Sequence, residues 1–168
     1  MGVTLHARVP LDDCKAAFDR LERLDFRDTT WRIYWVACVA LLRAVGHVLH
    51  KVDAKRGENY NKAIKSLWGR LHPNGPAIWT FIKNERDAVL KEYRFGAEAF
   101  VDVYAVVEDD VAQITDDETG ELFIMDSLRY EGNGELSLQG VDTGDILFDA
   151  IKWWEEVLAE LESEIDSA

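Results

Sequence analysis

A central helix is predicted by residues 30–53, which read TWRIYWVACVALLRAVGHVLHKVD. Between Trp31 and Leu42 the apolar side chains fall on nearly every side of a helix, a pattern typical of an element that is buried all round. The preceding residues 28–30, Asp-Thr-Thr, carry the short oxygen-bearing side chains that cap helix N-termini. We therefore expect the other helices to pack around this one.

Four further helices are predicted from apolar residues at helical spacing. A break at residues 72–76 closes the third helix, and Pro76 suits the first turn of the next one. Gly96 can terminate that fourth helix, and Asp142 or Thr143 can cap the last. The predicted ranges of the four are 11–26, 58–71, 77–94 and 144–164.

Short strands are predicted between the fourth helix and the last one. β-branched and aromatic residues at 100–107 suit a strand, although this stretch could instead extend the helical packing. Residues 111–115 and 121–126 flank a turn sequence at 116–120. A second turn signal, Gly-Asn-Gly, lies at 132–134. The predicted fold class is mainly α, a four- to five-helix bundle with a small antiparallel β appendage between the fourth helix and the C-terminal helix.

Charge is distributed unevenly along the chain. Residues 1–96 hold 17 Lys and Arg against 11 Asp and Glu, a net charge of +6, whereas residues 97–168 hold 2 against 21, a net charge of −19. Such asymmetry indicates polyanion binding or an acidic interaction segment, although two solvated surfaces would give the same numbers. We expect a basic helical bundle at 1–96 and an acidic part at 97–168, packed together as one unit.

The remaining composition favours a cytoplasmic protein. Cys14 and Cys38 lie among apolar residues, as buried thiols of a reducing compartment do. The N-terminal residues lack the apolar core of a signal peptide, and the longest apolar run, Ile33–Leu42, is too short to span a bilayer. Phosphate-binding and dinucleotide-binding glycine motifs are missing, so neither a membrane nor a cofactor is expected as a partner.

The motif segment, residues 86–93 of the fourth helix, reads Arg-Asp-Ala-Val-Leu-Lys-Glu-Tyr. Arg86 and Tyr93 are seven residues apart and would project from one helix face, two turns from each other. Because that face is otherwise apolar, we expect Arg86 to be partly buried with a carboxylate partner or to line a groove. The plainer interpretation is an arginine paired with an acidic neighbour on an ordinary helix surface.

This segment resembles the motif of HEPN-type helical domains, specifically the toxins of prokaryotic HEPN/MNT toxin–antitoxin pairs. Their motif is an arginine, four variable residues, a histidine, one further residue and a tyrosine, and Arg86, Lys91 and Tyr93 stand at those spacings. The resemblance implies a small helical bundle that dimerises with its motif helices facing each other, and active members cleave RNA. This chain departs from the motif at the histidine position, which is Lys91.

The departure argues against RNA cleavage. A lysine side chain has a pKa of about 10.4 and is a poor proton acceptor near neutral pH, where histidine titrates. The resemblance therefore implies a degenerate, non-cleaving, RNA-associated regulatory protein of a toxin–antitoxin or defence type. The alternative is a metal-independent ribonuclease with Arg86, Lys91, Tyr93 and His47 as candidate catalytic residues, in which His47 supplies the missing imidazole.

The central helix carries a second group of polar residues. Arg43, His47 and His50 share a face, at spacings of four and three residues. Asp53 is offset by a turn, and the spacing lacks the histidine pair and glutamate of a zinc protease, so no metal site is predicted. Hydrogen bonding between helices is the favoured role of the two histidines.

Two functions of different classes follow from these patterns. In the first, a basic face contacts RNA, with Arg43, Arg86, Lys91 and Arg94 as the binding residues. In the second, the chain is a non-catalytic protein–protein interaction module, and its acidic segment 97–168 contacts a basic partner or folds over the basic helices. We expect a homodimer in both cases.

Overall fold

The fold is a mainly α-helical bundle with a small antiparallel β appendage, which confirms the predicted fold class. A computed structural model describes residues 2–72, 75–103, 106–108, 111–113, 124–131 and 138–168. Its α-helices are α1 (Arg8–Leu21), α2 (Thr29–Lys51), α3 (Glu58–Leu71), α4 (Ala77–Glu92) and α5 (Thr143–Asp166), and a 3₁₀ turn at Asp53–Lys55 follows α2.

Side-chain oxygens cap two of the helices where the sequence predicted it. Asp28 Oδ1 accepts a hydrogen bond from the backbone N–H of Thr30 at 2.7 Å, and Asp142 Oδ1 accepts one from the N–H of Gly144 at 2.7 Å. Each bond satisfies a donor that has no partner within its own helix. The hydrogen bonds from Thr30 lower the pKa of Asp28.

The hydrophobic core is built around α2. Trp35, Cys38 and Leu42 of this helix are fully buried, at the three- to four-residue spacing that places them on one face. Helices α1, α4 and α5 all contact α2. Helix α5 supplies the equally buried Trp154 and Leu158, so the last helix completes the core rather than extending from it.

Helix α2 is apolar over a longer stretch than Ile33–Leu42, the run that by itself is too short to span a bilayer. The segment Thr29–Lys55 has the length and the mean hydropathy, 1.5 over its best window, of a membrane-spanning helix. The core helix of a soluble bundle has the same properties, and the buried Trp35 belongs to such a core. Ile33, however, is 66% exposed on the other side of the helix. The expected lack of a membrane partner therefore stays a prediction.

The β appendage connects α4 to α5. Strands β1 (Ala97–Val103) and β4 (Ile124–Tyr130) pair antiparallel, with Ala97 opposite Tyr130 and Val103 opposite Ile124. Strands β2 (Val106–Glu108) and β3 (Val111–Gln113) form a second antiparallel pair. The predicted turns at 116–120 and 132–134 lie outside the described residues. The appendage is anchored by Tyr130, whose buried ring meets Phe81 of α4 edge-on at 5.2 Å between centroids.

Helix α5 places acidic side chains against the basic N-terminal region. Glu162 accepts hydrogen bonds from the Arg8 guanidinium at 2.8 and 2.6 Å, and Glu155 lies 2.6 Å from the Lys15 ammonium. The hydrogen bonds from Arg8 lower the pKa of Glu162 despite its partial burial. Part of the acidic segment therefore neutralises basic residues of its own chain, which is one of the two arrangements expected for it.

Candidate functional site

Within the motif segment, the cations share a carboxylate. Arg86 is half-buried on α4, and its Nη1 donates a hydrogen bond to Asp87 Oδ1 at 2.7 Å. Lys91 is exposed and donates from Nζ to Asp87 Oδ2, also at 2.7 Å. The bonds from Lys91 and Arg86 lower the pKa of Asp87. Arg86 is thus partly buried with an acidic neighbour, as one of the alternatives predicted, and Lys91 is compensated as well.

The end of α4 separates Tyr93 from the rest of the motif segment. The helix ends at Glu92, not at residue 94, and Tyr93 adopts left-handed backbone geometry with φ 52°. The prediction that Tyr93 and Arg86 share one helix face is therefore wrong, because helical spacing no longer applies. Tyr93 is 69% exposed, and Arg94 beside it forms a 2.9 Å ion pair with Glu92.

A cleft of about 430 Å³ lies between α2 and α3. Among the described residues, none of those that line it is acidic. They are Arg43, Gly46, His47, His50 and Lys51 of α2, together with Lys65, Trp68 and His72 from α3 and its C-cap. We refer to this set as the α2–α3 cleft.

Helical spacing brings these side chains together. On α2, Arg43, His47 and Lys51 follow one another at intervals of four residues and lie on one face, as predicted for the first two. Gly46 lets α3 approach, because a Cβ at this position would lie only 3.0 Å from Cη2 of Trp68. Trp68 therefore forms the centre of the cleft wall, between the basic residues of the two helices.

Arg43 is the most constrained cation of the cleft. Its guanidinium lies over the Trp79 ring at 4.8 Å, and its Nη1 is buried with no hydrogen-bond partner among the described residues. Burial lowers the pKa of Arg43, and the nearby Arg86 lowers it further, against the opposing negative charge of Asp87. A half-buried guanidinium with an unused donor is suited to hold an anion.

His47 is electrostatically linked to the same charges. Partial burial, followed by the positive charges of Arg43 and Arg86, lowers the pKa of His47. The charge of Arg86 thus acts on His47, although Arg86 is not among the residues that line the cleft. Lys91 and Tyr93, the other two candidate catalytic residues, are not among the residues that line the cleft.

The remaining histidine predictions are not met. Both His47 and His50 are exposed, and neither forms a hydrogen bond with any residue that the structure describes, so the favoured interhelical hydrogen bonds are absent there. The His50 ring instead meets Trp68 edge-on at 6.3 Å. Asp53 faces away from them, since its buried carboxylate accepts the backbone N–H groups of His6 and Ala7 at 2.9 and 3.0 Å.

A metal site is not formed by these groups. Within the described ranges, no cluster of three His, Cys, Asp or Glu side chains could hold a metal ion. The residues that sequence reasoning missed are Lys51, Lys65, Trp68 and His72. The sequence did contain a pattern that could have revealed three of them, since Lys65, Trp68 and His72 are spaced by three and four residues at the end of the third helix. That pattern indicates a site only once the helix is known to lie opposite Arg43 and His47.

Comparison with known proteins adds no family. No protein-family model, no curated protein and no solved structure matches this chain significantly. The resemblance of the motif segment to HEPN-type domains therefore stays a prediction.

Proposed function

We propose that the protein binds RNA in the α2–α3 cleft. The observation that carries the proposal is positive charge without an ion-pair partner among the described residues. Arg43, Lys51 and Lys65 line a concave site with no acidic wall residue in the part of the chain that the structure describes, and none of the three forms an ion pair with a described carboxylate. RNA phosphates would replace the missing counter-charges.

The net charge of −13 would repel RNA if all of it acted at the cleft, but distant charges contribute little there. Charges separated by more than about 8 Å are largely screened at physiological ionic strength. Glu155 and Glu162 of α5 are moreover engaged with Lys15 and Arg8. The local potential of the cleft, rather than the total charge, then governs the approach of RNA.

Binding without cleavage is the activity we propose. Lys91 is hydrogen-bonded to Asp87, and Tyr93 lies beyond the end of α4, so neither lines the cleft with His47. This binding would suit a regulatory, non-cleaving HEPN-like protein, and it would also suit a homodimer. RNA binding at the cleft depends on neither. His47 near Arg86 keeps a metal-independent ribonuclease as the second candidate.

A salt series with matched double variants tests the proposal. Single-stranded RNA should bind with a log–log salt slope of about −2 if three phosphates are contacted. Lys51→Gln with Lys65→Gln should weaken binding by about tenfold or more and make the slope shallower by about 1.4.

The control for that experiment removes the same charge elsewhere. Lys91→Gln with Arg94→Gln also deletes two cations, but those cations are already paired with Asp87 and Glu92. This variant should bind within about twofold of the original protein. Equal losses in both variants, or no salt-dependent binding of RNA at all, would refute binding at the cleft. Incubation of the complexes followed by gel analysis shows whether the RNA is cut.

A further inference from the structure

The α2–α3 cleft continues as a groove. A second cavity of about 270 Å³ shares His50, Lys51, Lys65 and Trp68 with it and adds Lys55 and Asn61 at the far end. Because Arg43 and Lys51 are eight residues apart on α2, they are separated by roughly 12 Å along the helix axis. The groove is therefore long enough for a few linked phosphates, not only for one anion.

Aromatic rings occupy the middle of this groove. The His72 imidazole stacks on the Trp68 indole at 6.0 Å between centroids, with 24° between the planes. Trp68 is half-buried and backed by Trp79 at 5.3 Å, whereas His72 is exposed. The exposed His72 ring also meets Trp79 edge-on at 5.9 Å between centroids, so it is held at the end of the groove by two indoles. The buried Nε1–H of Trp68 has no hydrogen-bond partner among the described residues.

We propose that this groove is specific for single-stranded RNA and that one unpaired base stacks on the His72–Trp68 ring pair while the neighbouring phosphates contact Arg43, Lys51 and Lys65. The inference rests on the proposed function and adds the class of RNA. Stacking needs a base that has left its helix, and a duplex hides its base faces within its own stack. A site for phosphate alone would need the cations but not the rings.

The test compares three ligands that present the same number of phosphates on the recognised strand. They are a short single-stranded RNA, the same strand annealed to its complement, and an abasic oligomer that keeps the sugar–phosphate backbone but lacks bases. The single strand should bind about tenfold more tightly than either of the others. His72→Ala should remove that advantage and leave the affinity for the abasic oligomer unchanged.

His72 suits this experiment because it is exposed at the end of α3, so its truncation should not unfold the protein. Trp68→Phe, which keeps a ring in the half-buried position, should retain the preference for the single strand. Equal binding of the RNA and the abasic oligomer would overturn the base contact while leaving RNA binding by charge intact. Tighter binding of the duplex would overturn the inference as well. No binding of any ligand would remove the proposed function itself.

Discussion

The α2–α3 cleft and the motif segment hold cationic side chains of the same kinds in different surroundings. In the motif segment, one carboxylate, that of Asp87, accepts hydrogen bonds from both Arg86 and Lys91. In the cleft, the described wall residues include no acid, and Arg43 keeps a buried donor that none of them accepts. The motif spacing therefore did not identify the region whose cations lack an ion-pair partner among the described residues.

The difference shows which property makes a basic region a binding region. Paired cations on a helix surface have little attraction left for a third charge, because the carboxylate satisfies their hydrogen bonds and cancels their field. Unpaired cations in a concave site concentrate the field and exclude part of the water that would screen it. Substitutions in one region at a time test this difference.

The largest effect is expected on stability, from the loss of a buried carboxylate in α4. Glu85, which precedes the motif segment, is fully buried, and its Oε1 accepts hydrogen bonds from Trp35 Nε1 at 2.9 Å and from the backbone N–H of Gly96 at 3.0 Å. Glu85→Ala leaves both buried donors without that acceptor and creates a cavity, so it should lower the free energy of unfolding by about 2–4 kcal/mol. Urea unfolding measures this loss.

Arg86→Ala provides the matched control one residue along the same helix. It removes a half-buried side chain whose partner is a partly exposed aspartate, and it should cost less than about 1 kcal/mol. If Arg86→Ala were as destabilising as Glu85→Ala, Arg86 would have a structural role that its single partner does not explain. A large loss only at Glu85 would identify α4 mainly as a support for the bundle and the appendage.

The next effect compares the two regions directly through RNA affinity. Arg43→Met and Arg86→Met make the same chemical change, and each keeps an unbranched apolar stem. Loss of the Arg43 guanidinium should weaken RNA binding by about tenfold, since it removes a charge-assisted contact. Loss of Arg86, whose guanidinium is bonded to Asp87, should change it by less than about threefold. Fluorescence anisotropy at one fixed salt concentration measures both, and a reversed order would assign binding to the motif segment.

The pH dependence of stability gives a third test. Burial raises the pKa of Glu85, against the opposing hydrogen bonds from the Gly96 backbone and the Trp35 indole. A carboxyl group whose pKa is raised in the folded state retains its proton longer there than in the unfolded chain. Its contribution to stability is therefore present below the unfolded glutamate pKa and is lost as pH rises through the folded pKa.

Glu85→Gln should remove this loss, because an amide keeps an acceptor oxygen for Trp35 and Gly96 but does not ionise. Unfolding curves at several pH values should show the variant gaining stability over the original protein as pH rises. Differences between the two proteins cancel the titration of groups that both contain. A constant difference at every pH would mean that Glu85 does not change its protonation in that range.

Much of the bundle could be predicted from the sequence, and the candidate site only in part. The apolar pattern around Trp35 and the caps at Asp28 and Asp142 are local signals, so helix positions followed from them. The end of α4 did not, because Tyr93 takes a left-handed geometry that is uncommon outside glycine and asparagine.

The cleft could not be predicted from the sequence for a different reason. It joins residues of two helices, and their distance depends on how closely the helices approach. The contact of Trp68 with α2 at Gly46 sets that approach, and nothing in the spacing of either helix alone specifies it. Likewise, the compensation of Arg86 and Lys91 by Asp87 depends on rotamers, so the motif spacing could indicate which cations are near each other but not which are free.

The smallest effect is expected from a substitution that makes the motif segment more like the cleft. Asp87→Asn removes the carboxylate that Arg86 and Lys91 share, and Arg86 already lies close enough to Arg43 and His47 to lower their pKa values. RNA affinity at low salt should therefore rise by about two- to threefold, and the gain should disappear at high salt. The stability should change by less than about 1 kcal/mol, because the lost ion pairs are partly exposed. An unchanged affinity would show that compensation by Asp87 is not what separates the motif segment from the cleft, and that the concave shape around Trp68 matters more than the free charge.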